Sequence, residues 1–375
     1  MIKVVVVGAG IIGALQARRA LQLGCEVHHL ERDLTARGAS VRNFGLVWVS
    51  GRRRGEELEF ALRARALWDE VAADVPDVGF RPNGSITVLR DAAHVRVAQD
   101  VLAQPDAEER QFQLLEPDEV RAVNPALTGS FAAGLHCAAD AAVEPRRAAA
   151  AVRARNAESP NYHWLPGRQV ISLENHAVRD HYGDKHQGDV VLFCPGAAQG
   201  VSGFRPDQAP LRRVRLQMME TEPFAAEVTT SIADWDSLLY YPVFDVPSRA
   251  DLPPQPAVVA ERHMQLLLQQ RLDGGLTIGD THDYNEPFDV AVDEAPYEHL
   301  QQRAEEILGA KLPPLRRRWA GIYSQATDDR LYHLEQAAED VWVVTGAGGR
   351  GMTLSPAIAE ATLEAVGLSE SVPAG

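Results

Sequence analysis

The chain has 375 residues, of which 45% are apolar, so it is long enough for one large or two medium domains. Its formal net charge of −15 argues against nucleic acid and against an anionic membrane surface as partners. The three cysteines, Cys25, Cys137 and Cys194, are widely spaced and form no CxxC pair, which favours a reduced, cytoplasmic protein over a disulfide framework. We find no run of 18 apolar residues and no room for a signal peptide before the first apolar run, so we expect neither a membrane span nor export.

The first 31 residues have the pattern of a strand, a tight turn, a helix and a second strand that ends in an acid. The apolar run 2–7 suits a buried parallel strand, and it leads directly into a GxGxxG turn formed by Gly8, Gly10 and Gly13. Such glycines permit the sharp bend, the approach of a pyrophosphate, and close packing of the helix on the strand. Glu31 lies where an acid would accept hydrogen bonds from a ribose diol. The pattern predicts a dinucleotide site and leaves NAD and FAD equally open.

The rest of the chain has α/β patterns at both ends and a β-rich centre. Helical spacing of apolar residues predicts helices over 56–73, 91–102, 115–120, 144–157, 292–308 and 354–366. Strand-like runs bounded by Gly and Pro span 46–49, 80–89, 131–143, 170–173, 189–194, 214–221, 237–243, 257–261, 276–279, 316–324 and 341–345, with another at Trp164. We therefore predict a Rossmann-type α/β domain assembled from discontinuous segments, and an α+β domain with an antiparallel sheet and helices.

Two further glycine turns follow predicted strands, one at Gly196 and one over 345–353. Backbone N–H groups in such turns can cradle a phosphate or face a flavin carbonyl, so both turns could complete a cofactor crevice. The twelve histidines are scattered without an HxxxH pair, and we expect no metal site. Neither a Gly-x-Ser-x-Gly elbow nor a Walker loop is present, which disfavours a serine hydrolase and a P-loop nucleotidase.

These motifs, in this order and over essentially the whole chain, resemble the FAD-dependent D-amino acid oxidase family, nearest to its glycine oxidase and sarcosine oxidase branch. The segments 39–45, 216–219, 279–282 and 348–355 are similar to a narrower clade, the flavin oxidoreductases associated with aminophosphonate breakdown. The resemblance implies FAD rather than NAD. It also implies an FAD-binding domain over 1–78, 135–210 and 312–375 and a substrate-binding domain over 79–134 and 211–311.

The resemblance further implies how FAD is held. Glu31 would bind the adenosine ribose, the opening glycines the pyrophosphate, and the final glycine loop the pyrimidine edge of the flavin. Val170 would flank the adenine, while Gly45 and Leu46 would approach the isoalloxazine. The implied cofactor-binding residues are Gly8, Gly10, Ile11, Ile12, Gly13, Glu31, Arg32, Ser40, Arg42, Asn43, Phe44, Gly45, Leu46, Val170, Gly196, Gly321, Gly348, Gly349, Arg350, Gly351, Met352 and Thr353.

The chain departs from its relatives at two places. Tyr323 stands where glycine oxidases carry the arginine that grips the substrate carboxylate, and Gly321 stands where sarcosine oxidases carry the cysteine that bonds the flavin. We therefore expect non-covalent FAD and a substrate anion bound by another cation. Arg350 is the first choice for that cation, ahead of the three arginines at 52–54.

The resemblance implies oxidative deamination of a small primary amine by hydride transfer to the flavin, giving an aldehyde, ammonia and hydrogen peroxide. An aminophosphonate such as 2-aminoethylphosphonate, or a close derivative, is the expected substrate. The expected substrate-site residues are Trp48, Tyr241, His282, Tyr284, Tyr323 and Arg350. A lone histidine such as His282 is more often a hydrogen-bonded structural residue.

Three alternatives stay open: a glycine, sarcosine or D-amino acid oxidase; a flavin dehydrogenase with another electron acceptor; and an NAD-dependent dehydrogenase. The expected partners are a small anionic amine and oxygen or another acceptor, with no nucleic acid and no membrane. A homo-oligomer is possible.

Overall fold

The computed structural model describes residues 1–198 and 200–369, which form two large β-sheets with helices packed on them. The strands are β1 (Lys3–Val7), β2 (Glu26–Glu31), β3 (Leu46–Val47), β4 (Ser85–Leu89), β5 (Phe112–Leu115), β6 (Ala133–Cys137), β7 (Ala141–Ala142), β8 (Tyr162–Pro166), β9 (Val170–Glu174), β10 (Ala177–Asp180), β11 (Lys185–Gln187), β12 (Val190–Phe193), β13 (Leu211–Pro223), β14 (Ser231–Ala233), β15 (Leu267–Gln270), β16 (Gly275–Gly279), β17 (Leu315–Ala326), β18 (His333–Ala338) and β19 (Val341–Thr345). The helices are α1 (Ile11–Gln22), α2 (Glu56–Asp74), α3 (Ala92–Leu102), α4 (Pro117–Val123), α5 (Pro145–Asn156), α6 (Ser237–Tyr240), α7 (Ala257–Glu261), α8 (Glu294–Leu308) and α9 (Gly351–Ala365).

The first sheet has the strand order β18-β19-β12-β1-β2-β8 and is parallel except for its β18 edge. Its central strand β1 is buried on both faces, as four consecutive valines require. Val4 and Val6 pack with residues of α1, whereas Val5 and Val7 pack with the small β9-β10-β11 sheet on the other face. The turns after β1, β12 and β19 therefore lie at the same edge of this sheet, where open α/β sheets bind their ligands.

The second sheet has the order β17-β13-β16-β15-β14-β4-β6-β5, and every pair is antiparallel except β14 with β4. One face packs against the apolar side of α8, including Tyr297 and Leu300. The other face packs against Phe44, Leu46 and Trp48, which the first part of the chain contributes. The second sheet is thereby joined to the cofactor side of the molecule.

The predicted fold class is confirmed: a parallel α/β layer assembled from separated segments accompanies a largely antiparallel sheet with helices. The domain boundaries stay a prediction. The long strand β17 falls within 312–375, the segment assigned to the cofactor domain, yet it pairs along its length with β13 in the second sheet. No helix in the described part of the chain is both long and apolar enough to cross a bilayer.

Two predicted strands are wrong. The segment 237–243 forms the helical turn α6 and a 3-10 turn, and 257–261 forms the short helix α7. Pro242 interrupts the first segment and cannot donate to a ladder, while the carbonyl of Pro256 accepts from the N–H groups of Val259 and Ala260. Local hydrogen bonding overrides the strand preference of the two valines at 258–259. The described residues also contain β5, β10, β11, β14, β15 and β18, which the sequence reasoning missed.

Candidate active site

A cavity of about 1160 Å³ extends from the carboxyl edge of the parallel sheet to the second sheet. Glycine turns after β1, β12 and β19 line this cavity, together with aromatic and charged side chains. The hydroxyl of Thr345 donates to the carbonyl oxygen of Gly196 at 2.7 Å, which ties two of the turns together. The three glycine turns that the sequence suggested as parts of one crevice therefore meet in a single cavity.

The opening turn needs glycine for steric reasons. Gly8 has φ +99°, and a Cβ there would lie 2.4 Å from the carbonyl oxygen of Cys194. A Cβ on Gly13 would lie 1.8 Å from the carbonyl oxygen of Gly8. Helix α1 begins directly after Gly10, and the N–H of Ile11 donates to Oγ of Ser40 at 2.9 Å. Its N-terminus thus lines the cavity with the positive end of a helix dipole, a position that suits phosphate.

Glu31, at the end of β2, is fixed by the backbone. Its carboxylate accepts from the N–H of Ala9 at 2.7 Å and from the N–H of Asp33 at 3.1 Å. The neighbouring Arg32 side chain is exposed and pairs with Asp33 at 3.5 Å. Val170, at the start of β9, lines the same part of the cavity. The acid is therefore held at the cavity wall, in the place predicted for binding a ribose.

The loop before β3 is held by its own amide and by a distant arginine. The Asn43 side chain donates to the carbonyl of Ala39 at 2.8 Å and accepts from the N–H of Gly45 at 2.7 Å. The buried Arg271 donates to the carbonyl oxygens of Phe44 and Asn43, both at 2.8 Å. Arg271 comes from the end of β15, and nothing in the sequence pattern pointed to this contact. Its hydrogen bonds fix this loop, which contributes Ser40, Arg42, Asn43 and Phe44 to the cavity wall.

One predicted cofactor-binding residue, Gly45, does not line the cavity, contrary to the prediction. It has φ +79°, and a Cβ there would lie 2.1 Å from the carbonyl oxygen of Val143. The N–H of Val143 donates to the carbonyl of Gly45 at 2.7 Å. This glycine serves the close approach of two chain segments, and its neighbour Leu46 is the one that reaches the cavity.

The C-terminal glycine loop closes the cavity above β3. Thr353 joins the two: its hydroxyl accepts from the N–H of Trp48 at 2.9 Å and lies 3.3 Å from the carbonyl oxygen of Leu46. The start of α9 is held by Trp68, whose indole N–H donates to the carbonyls of Met352 and Thr353. The bare backbone of Gly348, Gly349 and Gly351 is thus positioned along the cavity wall, with the Tyr323 hydroxyl close to Gly349.

Part of the cavity wall is formed by a cluster of aromatic side chains and one histidine. The Tyr240 and His282 rings stack with centroids 4.7 Å apart, and Trp48 lies 6.0 Å from Tyr241. Nδ1 of His282 lies 2.9 Å from the carbonyl oxygen of His263, so Nδ1 must carry the hydrogen. In the neutral imidazole, Nε2 then accepts from the Tyr240 hydroxyl at 2.9 Å. Both ring nitrogens of His282 are engaged, although the ring lines the cavity.

Three charged side chains form a cluster on the same wall: Arg52, Glu57 and Arg350. The Glu57 carboxylate lies 3.6 Å from Arg52 and 3.2 Å from Arg350. Although burial opposes it, the two guanidinium groups hold the pKa of Glu57 below its ordinary value. Burial lowers the pKa of Arg350. Two cations share one carboxylate, so the cluster has one positive charge in excess.

A profile of the protein family described as "FAD dependent oxidoreductase" matches residues 3–365. The chain belongs to this family. A glycine oxidase of Pseudomonas aeruginosa is 25% identical over 368 residues, which cover 95% of this chain and 92% of that one. A tRNA 5-methylaminomethyl-2-thiouridine biosynthesis bifunctional protein, MnmC of Maricaulis maris, is 38% identical over 90 residues, 23% of this chain and 14% of that longer protein. The solved glycine oxidase of Bacillus cereus shares the fold, with a TM-score of 0.77, 18% identity and 99% of each chain covered.

As an FAD-dependent oxidoreductase, the chain needs a site that admits a dinucleotide, and the cavity fits one. Its volume of about 1160 Å³ exceeds the range of about 300–1,000 Å³ that is typical of pockets for drug-sized ligands. A Cβ on Gly196 would meet no protein atom within 4 Å, so the bare backbone there is open to the cavity. The α1 N-terminus and the Glu31 carboxylate line the same end, as pyrophosphate and ribose require.

All the cofactor residues and substrate-site residues named from the sequence line this cavity, with the exception of Gly45. Their individual roles stay predictions. Sequence reasoning missed Asp280, Tyr240, Gln265 and Glu57, which also line it. The signal for Asp280 was present, because it follows a buried strand and precedes His282 by two residues.

A separate cluster of possible metal-ligand atoms lies outside the cavity. It comprises one atom each from Glu26 and His28 on β2 and from His163 on β8, and the three atoms lie within 4.8 Å of one another.

Proposed function

We propose that this FAD-dependent oxidoreductase acts on a small primary amine that also carries an anionic group, most specifically an aminophosphonate such as 2-aminoethylphosphonate. One observation carries the anionic part: the Arg52–Glu57–Arg350 cluster has an unneutralised positive charge and lines the cavity. Guanidinium groups match the paired oxygens of a phosphonate. The amine part rests on the similarity to a glycine oxidase over 95% of this chain.

When bound, FAD supplies a two-electron oxidant for the carbon that bears the amine. The chain's own residues would position the substrate against it. Arg350 and Arg52 would bind the anion, with Glu57 holding the two guanidinium groups side by side. Trp48 and Tyr241 are both buried and would exclude bulk water from that wall.

The tyrosines of the site would act as neutral hydrogen-bonding groups. Burial raises the pKa of Tyr323 well above its ordinary value, and the pKa of Tyr240 and of Tyr241 is raised for the same reason. Each phenol therefore keeps its proton at neutral pH, so it can donate a hydrogen bond but cannot serve as a base. This suits an oxidation in which no tyrosine serves as the base.

An amino acid oxidase is the second candidate, because the glycine oxidase relative covers nearly the whole chain. Tyr323 in place of a carboxylate-binding arginine argues against it, whereas the arginine cluster could still accept a carboxylate. The electron acceptor, oxygen or another compound, is a separate question.

We propose a cytoplasmic protein, since Cys25, Cys137 and Cys194 are all unpaired.

A panel of amines, mixed anaerobically with the purified holoenzyme, tests the substrate without assuming an acceptor. We expect 2-aminoethylphosphonate to bleach the flavin band faster and at lower concentration than glycine, sarcosine or D-alanine. Ethylphosphonate, which has the anion without the amine, is the matched control and should bind without bleaching. Faster bleaching by glycine or sarcosine would replace the aminophosphonate with an amino acid. Admitting oxygen afterwards and measuring peroxide distinguishes an oxidase from a dehydrogenase.

A further inference from the structure

Asp280 is a buried carboxylate that lines the cavity, and no arginine or lysine among the described residues pairs with it. It follows β16, is 5% exposed, and its N–H donates to the carbonyl of Gln265 at 2.9 Å. Its Oδ1 has no hydrogen-bond partner among the described residues. Among those residues, the nearest basic group is His282, whose Nε2 lies 3.8 Å from Oδ2. An unpaired buried carboxylate is costly, so its presence in the cavity wall calls for a cationic or donor group from a ligand.

The neighbours of Asp280 do not supply that group. His282 uses Nδ1 on the carbonyl of His263 and Nε2 on the Tyr240 hydroxyl. The Tyr241 hydroxyl is within reach of the Gln265 amide at 3.2 Å. The free oxygen of Asp280 is therefore left as an acceptor at the wall of the same cavity that holds the arginine cluster.

We propose that Asp280 binds the amino group of the substrate, an inference that rests on the proposed function and deepens it. A protonated amine carries three N–H donors and a positive charge, which match an unpartnered, buried carboxylate. An alcohol would offer a neutral donor and would leave the charge of Asp280 unbalanced. The carboxylate therefore selects amines over alcohols of the same shape.

The positions of the two charged features also define the substrate class. Asp280 and the arginine cluster line the same cavity, and Tyr241 lines it with them. The two features consequently face one chamber rather than separate pockets. A ligand that satisfies both is a small zwitterion, with its ammonium at Asp280 and its anion at the arginine cluster.

The test compares Asp280→Asn with the wild-type holoenzyme, using two ligands that differ only in the amine: 2-aminoethylphosphonate and ethylphosphonate. The dissociation constant of 2-aminoethylphosphonate comes from the concentration dependence of the anaerobic bleaching rate, and that of ethylphosphonate from the perturbation of the flavin spectrum. We expect the variant to bind the amine ligand about tenfold to a hundredfold more weakly, as for loss of a charged hydrogen bond. Its affinity for ethylphosphonate should stay within about twofold, because the arginine cluster is unchanged. Asp245→Asn, an exposed site with the same chemical change, is the control.

An unchanged preference for the amine ligand in Asp280→Asn overturns the inference. Retained flavin and retained ethylphosphonate binding show that the variant is folded; if it loses them, Asp280→Glu, which keeps the charge, should restore both. The proposed function fails separately, and in the wild type. If glycine bleaches the flavin and 2-aminoethylphosphonate does not, the aminophosphonate assignment is wrong, and Asp280 is tested with glycine against acetate. If no amine bleaches it, both proposals are wrong.

Discussion

The hydroxyl of Tyr240 and Nε2 of His282 lie 2.9 Å apart, in a pair that also stacks ring on ring. Because Nδ1 of His282 donates to the carbonyl of His263, the Tyr240 hydroxyl is what occupies Nε2. Nε2 lies 3.8 Å from the Asp280 carboxylate. The Tyr240 hydroxyl, rather than the Asp280 carboxylate, thus occupies this ring nitrogen of His282.

We expect Tyr240→Phe to weaken binding of the substrate amine. Without the hydroxyl, Nε2 of His282 loses its partner and can contact Asp280 instead, so the imidazole competes with the ligand for the same carboxylate. The expected loss is about twofold to tenfold in affinity for 2-aminoethylphosphonate, as for one ordinary hydrogen bond. The concentration dependence of the anaerobic bleaching rate measures it, with the spectral titration by ethylphosphonate as the unaffected control. Tighter amine binding in the variant would contradict this account of the pair.

Arg350→Ala should weaken binding of the substrate anion. Removing Arg350 leaves Arg52 and Glu57 as a neutral pair, so the cluster loses its excess charge. We expect the dissociation constants of ethylphosphonate and 2-aminoethylphosphonate to rise together, by about tenfold or more. Arg205→Ala, at an exposed site outside the cavity, is the control. Unchanged constants would show that Arg350 does not hold the anion and would return attention to Arg53 and Arg54.

FAD should be bound without a covalent link. Among the three cysteines, only Cys194 lines the cavity, and burial raises the pKa of its thiol to about 12. A thiol in that state is a poor nucleophile. Gly321 has no side chain to offer. Acid precipitation of the purified protein should leave the yellow colour in the supernatant, and Cys194→Ala should behave identically. Colour in the pellet of the wild type would mean a covalent bond.

Local pattern was enough to predict that the opening turn and Glu31 line the cavity. The glycines of the opening turn and Glu31 belong to one continuous stretch, and their geometry follows from hard contacts such as that of Gly13 with the Gly8 carbonyl. The arginine cluster depends instead on contacts between distant segments. Glu57 is 293 residues from Arg350, so nothing local to Arg350 could show that its charge is shared.

Misassigned secondary structure explains one of the missed residues. A strand over 237–243 places Tyr240 and Tyr241 on opposite faces, so only one of them would reach a site. The observed helical turn, ended by Pro242, instead brings both tyrosines to the cavity. Asp280 was missed for a different reason. Its position directly after a buried strand and two residues before His282 was a signal, but whether it meets the cavity depends on the register of β16 between β13 and β15, which a single sequence does not reveal.

The amine affinity of the wild type should fall in acid. Burial raises the pKa of Asp280 to about 6, an effect that the charge of His282 opposes. The carboxylate is therefore charged above that pH and neutral below it, where it no longer attracts an ammonium. The other titratable groups facing it are Tyr240, Tyr241, Tyr284 and Tyr323, which burial keeps protonated. We expect kcat/KM for the amine to decline below about pH 6 in the wild type, with no such decline in Asp280→Asn. The same inflection in both proteins would assign it to another group.

Asp280→Asn should also stabilise the protein when no substrate is present. The pKa of Asp280 is about 6 in the folded state, where burial raises it, against an ordinary value of 3.8. The folded state therefore binds this proton more tightly than the unfolded state, and wild-type stability decreases as pH rises from about 4 to about 6. At pH 8 the full difference is on the order of 3 kcal/mol, from about 1.36 kcal/mol per pKa unit.

An uncharged asparagine avoids that cost, so we expect Tm of the variant at about pH 8 to exceed that of the wild type by on the order of 5 °C. The gap should shrink toward about pH 5, where Asp280 takes up its proton. Thermal unfolding followed by circular dichroism measures both, with Asp245→Asn, exposed and free of the cavity, expected to show neither effect. A variant less stable than the wild type at pH 8 would mean that Asp280 has a structural partner. A buried acid that binds an amine is expected to lower the stability of the protein until the amine is bound.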